Sequence, residues 1–311
     1  MLSKAGAWVR EFRVLFLFFA AVPLAMGSAV AYRYYPGQFS WPYFFLSLAA
    51  ILLLHAGTIA FNDYFDFRSG ADTIRRERTP FTGGTGLLPA GILKPWQVLA
   101  AGSLCFALCI AIGLFIVFTR SPIIFLFGVA GVGLGIFYTA PPLKLAYRLL
   151  GEITWLSSFP LTALGALFVQ SPAFGPGDIL AMLPAITATS VTIVPVALLA
   201  TAGLLVLELP DYDADREARK VGIAVLAGKK ATTVLFVIFC IVAFGWLVMT
   251  VITGFLSTTG LLALAGLPVL AWVGYGLVKH GERPAKLIPH IATGAATIYM
   301  VSVIVLFSLL F

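Results

Sequence analysis

The chain has 311 residues, 60% of them hydrophobic, with 20 Lys and Arg, 13 Asp and Glu, and a mean hydropathy of +1.02. That composition excludes a water-soluble globular domain and makes the lipid bilayer the first partner of the chain. The net charge of +7 does not point to nucleic acid, because the charges sit in short segments between apolar runs and no recognition motif accompanies them.

In chain order, apolar runs of about the 20 residues that a spanning helix needs fall at about 14–34, 40–62, 97–119, 121–140, 152–170, 179–209, 231–253, 258–278 and 288–311. The first follows Lys4, Arg10 and Arg13 and is longer than the apolar core of a signal peptide. With eight more runs behind it, it is expected to be retained. The sixth is long enough to tilt or kink. A β-barrel would read as alternating segments of about ten residues, whereas FPLTALGALFV and TTVLFVIFCIVAFGWLVM are apolar on every side, so nine transmembrane helices are expected. Cys105, Cys109 and Cys240 have no zinc spacing and read as packing residues.

Alternate inter-run segments, the N-terminal arm, 63–96, 141–151, 210–230 and 279–287, carry 18 of the 20 basic residues, leaving Arg33 and Arg120 on the other side. The positive-inside rule then puts the N-terminus and those segments in the cytoplasm, as in a multi-pass protein of the inner (cytoplasmic) membrane. Nine of the 13 acidic residues fall in or immediately before two of these windows: Asp63, Asp66, Asp72 and Glu77, then Glu208, Asp211, Asp213, Asp215 and Glu217. Asn62 and Asp66, and again Asp211 and Asp215, stand four residues apart, which on a helix stacks each pair on one face at the membrane boundary. The like charges of Asp211 and Asp215 repel unless a cation sits between them. Hard oxygen ligands suit Mg²⁺, which usually completes its shell with water and substrate phosphate.

Two clusters of this kind suggest a pyrophosphate held by metal. Arg68, Arg75, Arg76 and Arg78 follow the first, Arg216, Arg219 and Lys220 follow the second, and Lys144 and Arg148 lie between, all able to neutralise a diphosphate. Arg75, Arg76, Glu77, Lys229, Lys230 and Lys286 read as solvated loop charges. Runs two and six both end in an acidic cluster, and the segments two runs later are both short and basic. This symmetry predicts two four-helix halves plus one further helix around a central cavity, forming one domain over 1–311 with motif loops at 62–96, 138–152 and 207–230.

Three strings resemble the UbiA superfamily of intramembrane prenyltransferases. Asn62-Asp63-Tyr64-Phe65-Asp66-Phe67-Arg68-Ser69-Gly70-Ala71-Asp72 is similar to the family's first Asp-rich motif. Its third acid at Asp72, with Gly83-Gly84-Thr85-Gly86-Leu87-Leu88-Pro89 after it, resembles the branch that prenylates 1,4-dihydroxy-2-naphthoate in menaquinone biosynthesis. Tyr138-Thr139-Ala140-Pro141-Pro142-Leu143-Lys144 with the closing Leu150-Gly151-Glu152 is similar to the family's central loop, although Ala146 stands where some relatives have Lys. Glu208-Leu209-Pro210-Asp211-Tyr212-Asp213-Ala214-Asp215 resembles the second motif, with Leu207 in place of the usual Asn. Three such strings in the right order, each beside a span, outweigh any one of them.

The resemblance implies a Mg²⁺-dependent transfer of a polyprenyl group from an allylic polyprenyl diphosphate to an aromatic acceptor, with release of pyrophosphate and CO₂. Asn62, Asp66, Asp72, Asp211 and Asp215 are then the expected metal ligands, Asp63 and Asp213 being turned off the stacked face. Asn62, Arg68, Lys144 and Arg148 would contact the diphosphate, and Asp66, Asp211 and Lys144 would carry catalysis. Tyr64, Tyr138 and Tyr147 could stabilise a carbocation, and His55 is an intramembrane polar residue that either binds the acceptor or packs. No obligate protein partner is inferred. Other acceptors within the family are 4-hydroxybenzoate, homogentisate, a porphyrin or a glycerol phosphate lipid. A secondary transporter would hold its carboxylates nearer the bilayer midplane, and an alcohol phosphotransferase would carry a glycine-alanine-arginine string that is missing here.

Overall fold

The computed structural model describes residues 3–74, 84–171 and 176–311. Arg75, Arg76, Glu77, Arg78 and Gly83 lie outside the described residues. Those that are described form helices α1 (Lys4–Glu11), α2 (Val14–Tyr34), α3 (Trp41–Ser69), α4 (Ala71–Ile74), α5 (Pro95–Thr119), α6 (Ile124–Phe137), α7 (Gly151–Gln170), α8 (Pro176–Ala181), α9 (Leu183–Glu217), α10 (Ile223–Ala227), α11 (Lys229–Ile252), α12 (Leu267–His280) and α13 (Pro284–Ser308). Among them there is no strand, only an isolated parallel bridge between Arg148 and Val221.

Seven of the helical segments are long and apolar enough to cross a membrane: α3, α5, α7, α9, α11, the 3₁₀ turn Thr258–Gly266 continued by α12, and α13. Their apolar faces leave the backbone satisfied only by its own helical bonds, which suits a bilayer. The chain is therefore a multi-pass, all-helical membrane protein. The α2 helix occupies the first expected run, and α6, at 14 residues, covers only the middle of the fourth. It stops where Tyr138-Thr139-Ala140 leads into Pro141 and Pro142, which cannot continue a helix.

Neighbours along the chain pack side by side: α3 on α5, α5 on α6, α6 on α7, α7 on α9 and α9 on α11. The last helix, α13, returns to pack on α9 and α2, closing a ring. The main core holds Met26, Phe159, Leu167, Leu199, Phe236 and Leu270 among others. A second, smaller cluster of Ala7, Ala60, Leu87, Leu88, Leu93 and Val98 pins α1 and the segment 84–93 to the ends of α3 and α5.

The acidic motifs, expected in the segments 62–96 and 207–230 with their pairs stacked as on a helix, are continuations of the spanning helices α3 and α9. The 29 residues of α3 rise about 43 Å and the 35 of α9 about 52 Å at 1.5 Å per residue, more than the roughly 30 Å of hydrocarbon they need to cross. A helix satisfies its own backbone in water as in lipid, so nothing requires it to end at the boundary. The first motif thus forms the last turns of α3, closed by Gly70 in the left-handed region at φ +85°. The second continues α9 through Pro195 and Pro210 to Glu217.

Candidate active site

The overhanging turns of α3 and α9 face each other across a cavity of about 190 Å³. Asn62 and Asp66 reach its wall from α3, and Leu204, Leu207, Glu208, Asp211 and Asp215 reach it from α9. Spacing of three or four residues puts each set on one helical face. Tyr138, Gly151, Glu152 and Trp155 close one side, Arg13 and Gly84 another, and Lys220, Gly222 and Ala224 a third. The polar groups lie toward the motif end, while Phe16, His55, Thr58 and Ile59 line the side that leads into the helix bundle.

Asp66 is buried and held from two directions. Tyr147 donates its hydroxyl to Oδ1 at 2.7 Å and Lys220 donates Nζ to Oδ2 at 2.9 Å. Tyr147 also exchanges a hydrogen bond with Ser69 at 2.8 Å. Burial first, and then the Asp66 charge, push the Tyr147 phenol above its ordinary range, so it remains a donor.

Tyr147 and Lys220 come from different segments and are joined through backbone. The Leu149 N–H donates to the Val221 carbonyl at 2.9 Å and the Val221 N–H to the Tyr147 carbonyl at 3.4 Å, beside the Arg148–Val221 bridge. Two carboxylates anchor the second segment further along: Glu152 accepts from the Ile223 N–H at 2.5 Å and Glu208 from the Ala224 N–H at 3.4 Å.

Asp63, one residue on from Asn62, does not line the cavity. It accepts from Arg13 at 2.5 Å and from the Thr85 N–H at 3.0 Å, and the Thr85 hydroxyl donates to Glu11 at 2.7 Å. Burial, then the nearby Asp63 charge, raises the Glu11 carboxyl to about 7. Asp72 is buried behind the wall, against Gly84: a Cβ there would stand 2.6 Å from its Oδ2, and φ at Gly84 is +65°. Only glycine meets both demands.

The fold thus gathers Asn62, Asp66, Asp211 and Asp215 at one cavity, with Asp72 one layer behind. It does not bring Arg68, Lys144 or Arg148 to that wall. Arg68 stands two residues after Asp66, about 200° round the helix, and is exposed. Lys144 holds its ammonium 5.4 Å from the Tyr147 ring centre, and Arg148 is exposed beside its bridge to Val221. Cations at the wall are instead Arg13 and Lys220. Asp213 is exposed, 3.7 Å from Lys229. Among the described residues no three His, Cys, Asp or Glu side chains converge as a ready-made metal cage. The donor set is nonetheless all hard oxygen, and Mg²⁺ is commonly held by one or two carboxylates together with water and substrate phosphates.

An all-helical bundle with two acidic helix ends and a cationic rim over one cavity defines a class of membrane enzyme, and residues 20–290 match the UbiA prenyltransferase family. The chain belongs to that family and is a UbiA-type prenyltransferase. Among its relatives, the 1,4-dihydroxy-2-naphthoate octaprenyltransferase of Bacillus subtilis is 27% identical over 276 residues, 89% of this chain and 83% of the relative. The UbiA prenyltransferase domain-containing protein 1 of Danio rerio is 29% identical over 254 residues, 78% of this chain and 69% of that one. Two solved structures share the fold. A UbiA homolog from Aeropyrum pernix K1 has a TM-score of 0.64 at 18% identity, covering 91% of this chain and 96% of its own. A UbiA homolog from Archaeoglobus fulgidus bound to DMAPP and Mg²⁺ has a TM-score of 0.62 at 15% identity, covering 94% and 98%.

Proposed function

We propose that this protein transfers a polyprenyl group from its diphosphate to 1,4-dihydroxy-2-naphthoate, releasing pyrophosphate and CO₂, in menaquinone biosynthesis. The observation that carries the reading is the meeting of the α3 and α9 carboxylates, with Lys220 and Arg13, at the mouth of an otherwise apolar cavity. The naphthoate rests on the Bacillus subtilis relative's activity and on the motif spacing.

Asn62, Asp66, Asp211 and Asp215 would hold Mg²⁺, and Asp72 would support them from behind Gly84. The metal supplies charge stabilisation for the departing diphosphate. Lys220 and Arg13 add positive charge on the same side, and Lys144, 5.4 Å from the Tyr147 ring centre, would add its charge from beyond the wall. Arg68 and Arg148, which stand off that wall, have no contact with the diphosphate in this reading. Tyr147 orients Asp66. Loss of the diphosphate leaves an allylic cation, which Tyr138, Trp155 and Phe16 at the cavity wall would stabilise through their ring faces while the bundle keeps water out. The acceptor ring carbon then bonds to the cation, and its carboxylate leaves as CO₂.

In this reading all nine apolar runs cross the bilayer as two four-helix halves with one further helix, making one domain with its N-terminus and motif end in the cytoplasm of the inner membrane. No obligate protein partner is inferred in this reading. The test is incubation with Mg²⁺, a labelled polyprenyl diphosphate and a panel of naphthoate, 4-hydroxybenzoate and homogentisate acceptors. A prenylated naphthoate that is lost with EDTA supports the proposal. Product with another acceptor replaces the naphthoate and keeps the prenyl transfer; no product with any acceptor contradicts both.

A further inference from the structure

Three cavities run end to end through the α3–α7 side of the molecule. The carboxylate-lined cavity shares His55, Thr58, Tyr138 and Trp155 with an apolar cavity of about 140 Å³. That one shares Ile51, Leu54, Gly131, Leu161 and Thr162 with a third of about 380 Å³. Helix α3 measures the path: Asp66 stands at its start and Ser47 at its far end. The rise between them is about 28 Å, close to the roughly 30 Å thickness of bilayer hydrocarbon. The third cavity reaches Ile116 and Ile124 beside the α5–α6 turn, at the end opposite the motifs, and Ile110, Phe125 and Val129 on its rim are exposed. In a bilayer, exposed apolar side chains at that depth face lipid.

The second and third cavities share a wall that contains a glycine, Gly131. A Cβ at Gly131 would lie 3.6 Å from Leu54 Cδ2 and 4.0 Å from Leu161 Cδ2, ordinary contact distances. One methyl therefore fits, while a branched side chain at 131 would occupy the space between the two leucines. Glycine weakens a helix relative to alanine, and here it leaves that space open. Gly133, two residues on, lines none of these cavities and has nothing within 4 Å of its Cβ position.

Resting on the prenyl-transfer reading, we infer that the isoprenoid tail threads this path from the motif end toward the opposite leaflet, and that Leu54, Gly131 and Leu161 form a neck through which only the distal units of a long tail pass. The absence of a large side chain at 131 thereby admits long tails, and a branched side chain there would cap the chain length. The occupant follows from continuity: the path is apolar beyond His55 and Thr58, begins at the diphosphate-binding mouth, and has no charged side chain in its second or third cavity. A tail of a few units ends before the neck and does not sense it.

The test compares wild type, Gly131→Ala, Gly131→Leu and Gly133→Leu with geranyl, geranylgeranyl and octaprenyl diphosphates. Gly131→Leu is expected to keep geranyl turnover and lose octaprenyl turnover by about tenfold or more, while Gly131→Ala and Gly133→Leu keep the wild-type chain profile. A Gly131→Leu profile that matches wild type overturns the inference and leaves prenyl transfer intact. Wild-type protein that turns over none of the three overturns both. Because Gly131→Leu could perturb folding, an octaprenyl diphosphate with a photoreactive group at its far end is cross-linked to wild type. Label in residues 104–132 of α5 and α6 supports the route, and label confined to α9–α13, or competed away only by phospholipid, contradicts it.

Discussion

The two ends of the bundle use basic residues in different ways. At the motif end Arg13 and Lys220 meet carboxylates, Asp63 and Asp66, at 2.5 and 2.9 Å beside a cavity. At the opposite end Arg120 donates to the carbonyls of Val169 at 2.8 Å, Gln170 at 2.9 Å and Gln38 at 3.2 Å, and Arg33 donates to the Phe255 carbonyl at 3.3 Å. Those carbonyls lie at helix ends and turns, where the backbone lacks intrahelical partners. One end sets charge against charge beside a cavity, and the other spends charge on capping backbone. Substitution should therefore cost activity at the first end and stability at the second.

The largest effect is expected where the carboxylates meet. Asp66→Ala and Asp211→Ala should each lower prenyl transfer by about a thousandfold or more while the protein still inserts and purifies, as checked by product formation against monodispersity in detergent. Wild-type rates in either would remove that residue from the metal set. Next in size, Lys220→Met should cost about ten- to a hundredfold in kcat/KM, and Tyr147→Phe less, since each removes one of the two bonds that orient Asp66. If both were silent, the tie between the 145–150 and 219–223 segments would be structural only.

At the opposite end, Arg120→Ala should lower stability by about 1 kcal/mol, read as a fall in Tm, with kcat unchanged. A loss of activity without a loss of Tm would erase the distinction between the two ends. The smallest effect concerns pH. Glu11, raised to about 7 by burial and by Asp63, binds a proton more tightly folded than unfolded. The folded state therefore loses stability as pH rises from about 4.5 toward 7, and the penalty is complete above that. Glu11→Gln should flatten the dependence of Tm on pH across that window. An unchanged slope would assign it to another group.

Much of this was legible in the chain. Apolar runs fix the helices because lipid leaves the backbone no other solution, and a spacing of four residues is enough to place Asn62 with Asp66 and Asp211 with Asp215 on faces that turn to one cavity. The same rule, applied to Arg68, would have turned it away, since an offset of two residues reverses direction on a helix. Arg13 was not assigned, Lys220 was read only as one of several cations able to neutralise a diphosphate and Tyr147 only as a cation-stabilising ring, because their positions come from tertiary contacts: α1 docked on the 84–93 segment, and two short segments bridged at Arg148 and Val221. Neither contact has a periodic signature. The extension of α9 through Pro210 to Glu217 was hidden for another reason, since charge after an apolar run reads as the end of a span and says nothing about the end of a helix. Leu207, where the family's Asn is usual, lines the cavity beside Glu208, whose carboxylate accepts from the Ala224 amide.

The central claim is that α3 and α9 act on one diphosphate. Its most direct test is a double-mutant cycle on Mg²⁺-dependent binding of a labelled prenyl diphosphate, using Asp66→Asn, Asp211→Asn and the pair. A shared site predicts strong non-additivity, with the double variant binding little worse than either single one. Losses that simply add would mean that the two helices hold separate ligands, and the single-site account would be wrong.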